Sequence, residues 1–398
     1  MTSEVFSDVG VVQAREWLGD FSITSARIEN VRHLEQSAVC ELSCVRGDGS
    51  PVRCFLKRAC EAWAPGNGAS FVGEADFLRA LRGGAWGALA AAGAPTPRPL
   101  HAEVAPGGVV TLALELLEVG EGGSFYEAGA PACCGGDGAV LGAGRGEAAL
   151  LVGWLARFHA FWWDRPLRPA SGERGGGWWK RRTVTPDVGV RIPAIFAAHA
   201  REFASIRALA TPRAAQLWAA LGRALPVLRA AADARPHRTL LHGDVKTSNC
   251  FFRRTGHGPP VVFDFQWVGG GPSGAADLAY FFCGGARCVA LGGQGADAAC
   301  EELLALYLEE FLRALPPGTP PPLTLEGLRQ CVEEELVFYY AAAAGSLLDP
   351  LTPSIAEKNR SRYGWLLHEQ FEDALLWLTR RVLRALEGWA ASGRLAAV

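Results

Sequence analysis

Apolar and polar positions in the first third of the chain follow a pattern that predicts three strands and two helices. Residues 38–45 and 52–57 read as strands, and the Asp-Gly in the turn between them is typical of a hairpin. Residues 73–81 have helical spacing of apolar positions, and residues 109–117 read as a buried strand. A further helix is predicted within residues 1–30.

The remaining two thirds of the chain read as mostly helical. A Gly/Ala/Pro-rich stretch at 119–147 predicts a linker or surface insertion, and residues 147–163 form a long apolar helix pattern. Two helices are predicted over 194–232, and amphipathic helices dominate 298–393. Between these helical regions, residues 239–268 read as strand, loop and strand.

Composition narrows the class of protein. The formal net charge is −2, so bulk electrostatics give no support for nucleic-acid binding. No stretch of about 18 apolar residues is uninterrupted, which predicts no membrane span. The N-terminus lacks a basic and then apolar leader, and the eleven cysteines lack paired CxxC spacing. We therefore expect a cytoplasmic protein with reduced thiols; the sequence predicts no oligomeric state.

Three polar residues stand at the ends of apolar strand patterns in the segment that carries chemistry. Asp244 follows one apolar run, Asn249 leads into the next, and Asp264 ends a third. Transfer of a phosphoryl group to a hydroxyl needs a carboxylate that orients the hydroxyl and accepts its proton. It also needs oxygen ligands for magnesium, which a second carboxylate and an amide supply.

The order and spacing of these motifs resemble a known family. His-Gly-Asp at 242–244 and Asn249 form HGDxxxxN, followed by Asp-Phe-Gln at 264–266 and by DLAYF at 277–281. This set resembles the aminoglycoside phosphotransferase and choline kinase group, and most of all its choline-kinase-like branch that includes ecdysteroid kinases. The helix pattern LARFHAFW at 155–162 is similar to that branch too.

The resemblance implies an α+β, two-lobed protein-kinase-like fold. The small N-terminal lobe would hold an antiparallel sheet plus a helix, and the larger C-terminal lobe would be mainly helical. We therefore predict a nucleotide-binding lobe at residues 1–117, a Gly-rich linker or insertion at 118–147, and a catalytic and substrate-binding lobe at 148–398.

Roles in the catalytic segment are carried over from the resemblance. Asp244 would be the catalytic base, and Asn249 and Asp264 would be magnesium ligands. Lys246 would reach the γ-phosphate of ATP; the alternative for it is a solvent-exposed loop lysine. The cofactors implied are ATP and Mg²⁺.

The N-terminal part supplies candidates for the nucleotide. Lys57 ends an apolar strand and fits the lysine that holds the α- and β-phosphates, with Glu74 as its ion-pair partner. A surface lysine and a helix-capping glutamate are the alternatives. Glu115, Leu116 and Leu117 resemble the hinge between lobes, whose backbone would bind the adenine edge.

Some features depart from protein kinases. No GxGxxG precedes Lys57, and the loop at 33–38 stands in its place. Gln266 replaces the glycine of DFG, and no APE follows, which argues against a switchable activation loop. His242 is expected to buttress the catalytic loop and Asp277 to pin it.

The function predicted is an ATP-dependent transfer of the γ-phosphate to a hydroxyl of a small molecule. Two alternatives remain: an atypical protein kinase, and a catalytically inactive nucleotide-binding protein. The tryptophans Trp162, Trp163, Trp178 and Trp179 fit either an acceptor pocket or the core. No acidic cluster suited to a cationic aminoglycoside stands out, so the acceptor is not identified.

Overall fold

The computed structural model describes residues 4–34, 37–63, 67–119, 123–126, 144–165, 188–236, 238–254, 258–290, 293–343, 352–354 and 372–395. Within these residues, no helix is both long enough and apolar enough to cross a membrane. The nine cysteines in this described part are free thiols.

An antiparallel five-stranded sheet forms the N-terminal lobe, in the order β1-β2-β3-β5-β4. Its strands are β1 Ile23–His33, β2 Ala38–Arg46, β3 Pro51–Ala59, β4 Pro99–Val104 and β5 Val110–Glu115. The predicted strands correspond to β2, β3 and β5. The turn between β2 and β3 is closed by Asp48, which accepts hydrogen bonds from both the N–H and the hydroxyl of Ser50.

The prediction of a helix within residues 1–30 is right only for α1, Val11–Leu18, and β1 was missed. Gly19, with φ of 63°, ends α1 in the left-handed conformation that favours glycine. β1 is an edge strand whose outer positions face solvent, so it carries charged residues such as Arg27 and Glu29. That charge hides the alternation that a half-buried strand normally shows.

One long helix packs against the sheet on the side of β4 and β5. It is α2, Gly68–Ala80, which begins five residues before the predicted start at Gly73 and buries Phe71 and Phe77. A π-helical segment, Leu81–Ala85, leads into the short α3, Trp86–Ala91. Helix α2 includes Glu74, one of the candidate site residues, which is buried.

The C-terminal lobe is mainly helical, as predicted. Its helices are α4 Arg145–Phe161, α5 Val188–Glu202, α6 Ala204–Arg207, α7 Pro212–Asp233, α8 Ala275–Gly284, α9 Arg287–Ala290, α10 Ala296–Ala314, α11 Leu325–Ala343 and α12 Glu372–Ala391. Helix α4 packs on α10, and α8 packs on α11. The fold is therefore a two-lobed α+β fold.

The three-way division of the chain stays a prediction. Most of the predicted linker lies outside the described residues. Part of it forms a strand, since Phe125–Tyr126 is β6 and pairs with Phe252 and Arg253 of the strand Cys250–Arg253, β8.

Aromatic rings connect the two lobes behind the site. Phe77 of α2 lies 4.4 Å, between ring centroids, from Phe265, which in turn lies 4.6 Å from the ring of His242. Phe158 of α4 contacts both Phe77 and Phe265. The segment after Asp264 is therefore held by apolar contacts from both lobes.

We expect Gly274→Ala to destabilise the protein. A Cβ atom at Gly274 would collide with the ring of His159 and the hydroxyl of Tyr307, both buried. Overpacking of this kind costs about 1–3 kcal/mol in the free energy of unfolding, measured by urea denaturation.

Gly388→Ala is the matched control, because a Cβ atom at this exposed position of α12 meets nothing within 4 Å. It should leave stability unchanged or raise it by about 0.5–1 kcal/mol. Equal effects of the two substitutions would contradict the packing described for Gly274.

Candidate active site

Short strands hold the catalytic segment between helices of the C-terminal lobe. β7, Thr239–Leu241, pairs with β10, Gly269–Gly271, and β8, Cys250–Arg253, pairs with β9, Val261–Val262. The loop from 242 to 249 leaves β7 and enters β8 through one 3₁₀ turn. Three strand ends, and with them Asp244, Asn249 and Asp264, are thereby brought to one region.

Asp277 at the first turn of α8 fixes the backbone of this loop. Its carboxylate accepts hydrogen bonds from the N–H of His242 at 2.7 Å and of Gly243 at 2.8 Å. Nε2 of His159 lies 3.0 Å from the same carboxylate, and Nδ1 lies 2.9 Å from the Tyr307 hydroxyl. Burial opposes ionisation, but the hydrogen bonds from His159 and from the N–H of Gly243 outweigh it and lower the pKa of Asp277.

The His242 side chain supports the 242–249 loop through two hydrogen bonds, the buttressing role that the sequence predicted for it. Its Nδ1 accepts the N–H of Asp244 at 3.2 Å, so its Nε2–H donates to the carbonyl of Phe263 at 2.9 Å. The side chain is fully buried, and burial lowers the pKa of His242. A neutral ring therefore ties the Asp244 loop to the residue before Asp264.

Asp244 is a buried carboxylate with three side-chain donors. Tyr280 donates to Oδ1 at 2.7 Å, while Lys246 at 3.0 Å and the Asn249 amide at 3.1 Å donate to Oδ2. The same amide also donates to the Asp244 carbonyl at 2.9 Å, which leaves its oxygen available as a ligand. Lys246 is thus in contact with Asp244.

Lys57 joins the two lobes. Its Nζ lies 2.8 Å from Oε2 of Glu74 and 2.6 Å from Oδ1 of Asp264, which is 207 residues away in sequence. Burial disfavours the charged amine, but the two carboxylates outweigh it and raise the pKa of Lys57. Burial raises the pKa of Glu74, whereas Lys57 outweighs burial and lowers the pKa of Asp264.

Asp264 differs from Glu74 in access to the cleft. Its side chain is 27% exposed, against 3% for Glu74. Its φ of 64° is left-handed, a conformation that few residues other than glycine adopt and that often marks functional sites. Asp264 is therefore the partner of Lys57 that can also reach a ligand.

The oxygen donors suit magnesium better than a softer metal. Asn249 offers an amide oxygen and Asp264 a carboxylate. Within the described residues, no three or more His, Cys, Asp or Glu side chains gather into a metal-binding group. Because Asn249 and Asp264 are only two ligands, such an ion would need further oxygens from a phosphate-bearing ligand or water.

The hinge candidates lie where β5 leaves the sheet. The N–H of Glu115 donates to the carbonyl of Arg98 at 2.9 Å, and the N–H of Arg98 donates to the Glu115 carboxylate at 3.2 Å. Leu116 and Leu117 follow directly after β5 and are half-buried. The peptide N–H of Glu115 is thus already used within the sheet.

Two residues near the site were assigned no role from the sequence. Tyr280 bonds Asp244, and His159 bonds Asp277. Tyr280 belongs to the DLAYF motif and His159 to the LARFHAFW helix pattern. A tyrosine or histidine within an apolar helix is normally interpreted as a packing residue, so the sequence pattern indicated no role at the site.

The structure places two of the four candidate tryptophans in the hydrophobic core. Trp162 contacts Phe77, and Trp163 packs edge-on against Phe311, so both belong to the core. Trp178 and Trp179 lie outside the described residues.

A protein-family model described as the phosphotransferase enzyme family matches residues 74–321. The chain belongs to this family. No curated protein sequence matches it. The matched region of this phosphotransferase begins at Glu74 and includes every candidate residue except Lys57.

Solved structures of phosphotransferases resemble the chain at low identity. Plasmodium vivax ethanolamine kinase is 9% identical, covers 94% of this chain and 86% of its own, and has a TM-score of 0.46. An amicoumacin kinase in complex with AMP-PNP and Ca²⁺ is 12% identical, with 98% and 96% coverage and a TM-score of 0.45. An aminoglycoside phosphotransferase, APH(4)-Ia, is 14% identical, with 96% and 99% coverage and a TM-score of 0.38. The family assignment rests on the family model.

The neutral His242 predicts a pH dependence of stability. Because its pKa is lowered in the fold, the unfolded chain binds a proton below about pH 6.5 that the folded protein does not. Its contribution is complete above that pH and is lost as the pH falls, at up to about 1.4 kcal/mol per pH unit.

His242→Gln should therefore be less stable than wild type at pH 7.5, by urea denaturation, and the difference should shrink toward pH 5. A difference that stays constant over this range would contradict a neutral buried His242.

Proposed function

We propose that this phosphotransferase moves the γ-phosphate of ATP to a hydroxyl group of a small molecule, with Mg²⁺ as the metal ion. The observation that carries the proposal is the contact of Lys57 with both Glu74 and Asp264. A buried amine bonded to a fully buried and a partly exposed carboxylate suits a phosphate-binding lysine beside a metal ligand.

The nucleotide would lie along the face of β3 that carries Lys57. Phe55 is two residues away and therefore on the same face, toward the end of β3 where Cys54 pairs with Glu115. An aromatic ring in this place can cover the adenine base while Lys57 holds the phosphates. Since the Glu115 N–H is occupied, the donors left for the adenine edge are those of Leu116 and Leu117.

Asn249 and Asp264 would hold the magnesium ion. When bound, the ion neutralises charge on the nucleotide phosphates. Asp264 is also paired with Lys57, so the ammonium group would lie beside the metal ligand and could contact the same phosphate chain.

Asp244 would receive the proton of the acceptor. The acceptor oxygen forms a bond to the γ-phosphorus as the bond to the bridging oxygen breaks, and that electron pair leaves on ADP. The hydroxyl proton passes to the Asp244 carboxylate, which the loop holds in place. Lys246 lies beside this carboxylate and can pair with the transferring phosphate.

The short connection after Asp264 favours a small-molecule acceptor over a protein. Residues 265–274 include a turn from Phe265 to Val268 and the strand β10, and α8 begins directly afterwards at Ala275. This leaves no room for an activation segment of the kind that protein kinases use to bind peptides.

Binding of ATP should depend on magnesium and on Asp264. A ligand that binds only the folded state raises the melting temperature, so wild type should show an ATP-induced shift that increases with Mg²⁺. Asp264→Ala should lose most of that increase, because it removes the exposed carboxylate while Lys57 keeps Glu74.

Asp164→Ala is the matched control, since Asp164 is also an aspartate with positive φ, at 53°, but it pairs with Arg238, which is not a candidate site residue. It should retain the wild-type shift. Absence of any shift in wild type at millimolar ATP would refute the nucleotide site.

Asp244→Ala should leave ATP binding intact but slow the transfer of phosphate. We expect a magnesium-dependent ATP shift close to that of wild type, but a rate of phosphate transfer lowered by about 10²–10⁴-fold, because the proton acceptor is lost. Steady-state rates with a coupled ADP assay measure this, and a near wild-type rate would rule Asp244 out as the base.

A further inference from the structure

Helix α8 presents two polar side chains to the catalytic loop, one turn apart. Asp277 and Tyr280 are both fully buried and lie three residues apart, so they share one face of the helix. Asp277 holds the backbone of His242 and Gly243. Tyr280 instead contacts the side chain of Asp244.

The two carboxylate oxygens of Asp244 accept different numbers of hydrogen bonds. Lys246 and Asn249 both donate to Oδ2, whereas Tyr280 donates to Oδ1 at 2.7 Å. A carboxylate oxygen accepts about two hydrogen bonds. Among the described contacts, Oδ1 is therefore the oxygen with capacity for the proton of an acceptor hydroxyl.

We propose that Tyr280 is a positioning residue for phosphoryl transfer, acting through Asp244. Its hydroxyl fixes the rotation of the carboxylate so that Oδ1 faces the acceptor. This inference rests on the proposed function, because it requires Asp244 to be the base.

Packing alone does not account for the hydroxyl. The Tyr280 ring packs edge-on against Tyr339, with ring centroids 5.6 Å apart, and this contact needs no oxygen. Phe281 and Phe282, the next two residues, are equally buried without one. Phenylalanine at position 280 would keep the ring and remove the bond to Asp244.

The test uses Tyr280→Phe and, because the acceptor is unidentified, measures release of inorganic phosphate from Mg-ATP, with water as the acceptor. We expect kcat to fall by about 10–100-fold, while the KM for ATP stays within about twofold of wild type. A misplaced reacting group lowers the rate of the chemical step but does not change the contacts that bind the nucleotide.

Tyr340→Phe is the matched control. Tyr340 is a buried tyrosine on α11 whose ring stacks on Trp218, with a centroid distance of 4.7 Å, and Trp218 is not a site residue. It should keep the wild-type kcat. Both variants should retain the magnesium-dependent ATP shift in melting temperature, which shows that they are folded and bind nucleotide.

The double variant Tyr280→Phe/Asp244→Ala distinguishes positioning from a general structural effect. If Tyr280 acts through Asp244, the double variant releases phosphate at the rate of Asp244→Ala alone. Wild-type kcat in Tyr280→Phe, or a further loss in the double variant, would overturn the inference and leave the proposed function intact. If wild type neither releases phosphate nor shows the magnesium-dependent ATP shift, both the inference and the proposed function would be overturned.

Discussion

The burial of Lys57 between two carboxylates is the constraint on which the site depends. An ammonium group taken out of water is tolerated only when charges and hydrogen bonds compensate it, and here Glu74 and Asp264 do so. One carboxylate comes from α2, packed on the sheet, and the other follows β9 in the C-terminal lobe. Removing Lys57 would leave two carboxylates close together without a counter-charge, so its ammonium group holds sheet, helix and catalytic segment in place relative to one another.

A second buried carboxylate, that of Asp277, fixes the loop that carries Asp244. Asp277 accepts two backbone N–H groups and pairs with His159, which sets the path of the chain just before Asp244. The neutral ring of His242 joins this anchor to Phe263, next to Asp264. The two charged anchors are thus coupled through one histidine, and the groups proposed for phosphate, metal and proton are held together.

Sequence patterns predicted the parts of the fold whose signals are local. The hairpin of β2 and β3 has clear alternation and an Asp-Gly turn, and Lys57 and Glu74, paired on the sequence alone, lie 2.8 Å apart. β1 was missed because its solvent-facing edge carries charge instead of alternating apolar residues. The contact of Tyr280 with Asp244 depends on how α8 meets the loop, which no local pattern records.

Transfer of the γ-phosphate of ATP to a hydroxyl is the reaction that we propose for this chain. ³¹P NMR of the protein with Mg-ATP and a panel of hydroxylated small molecules follows that phosphate directly. We predict that the γ-phosphate signal is replaced by that of a phosphomonoester as ADP appears. ATP that remains unchanged across the panel, with neither a phosphomonoester nor inorganic phosphate formed, would contradict it.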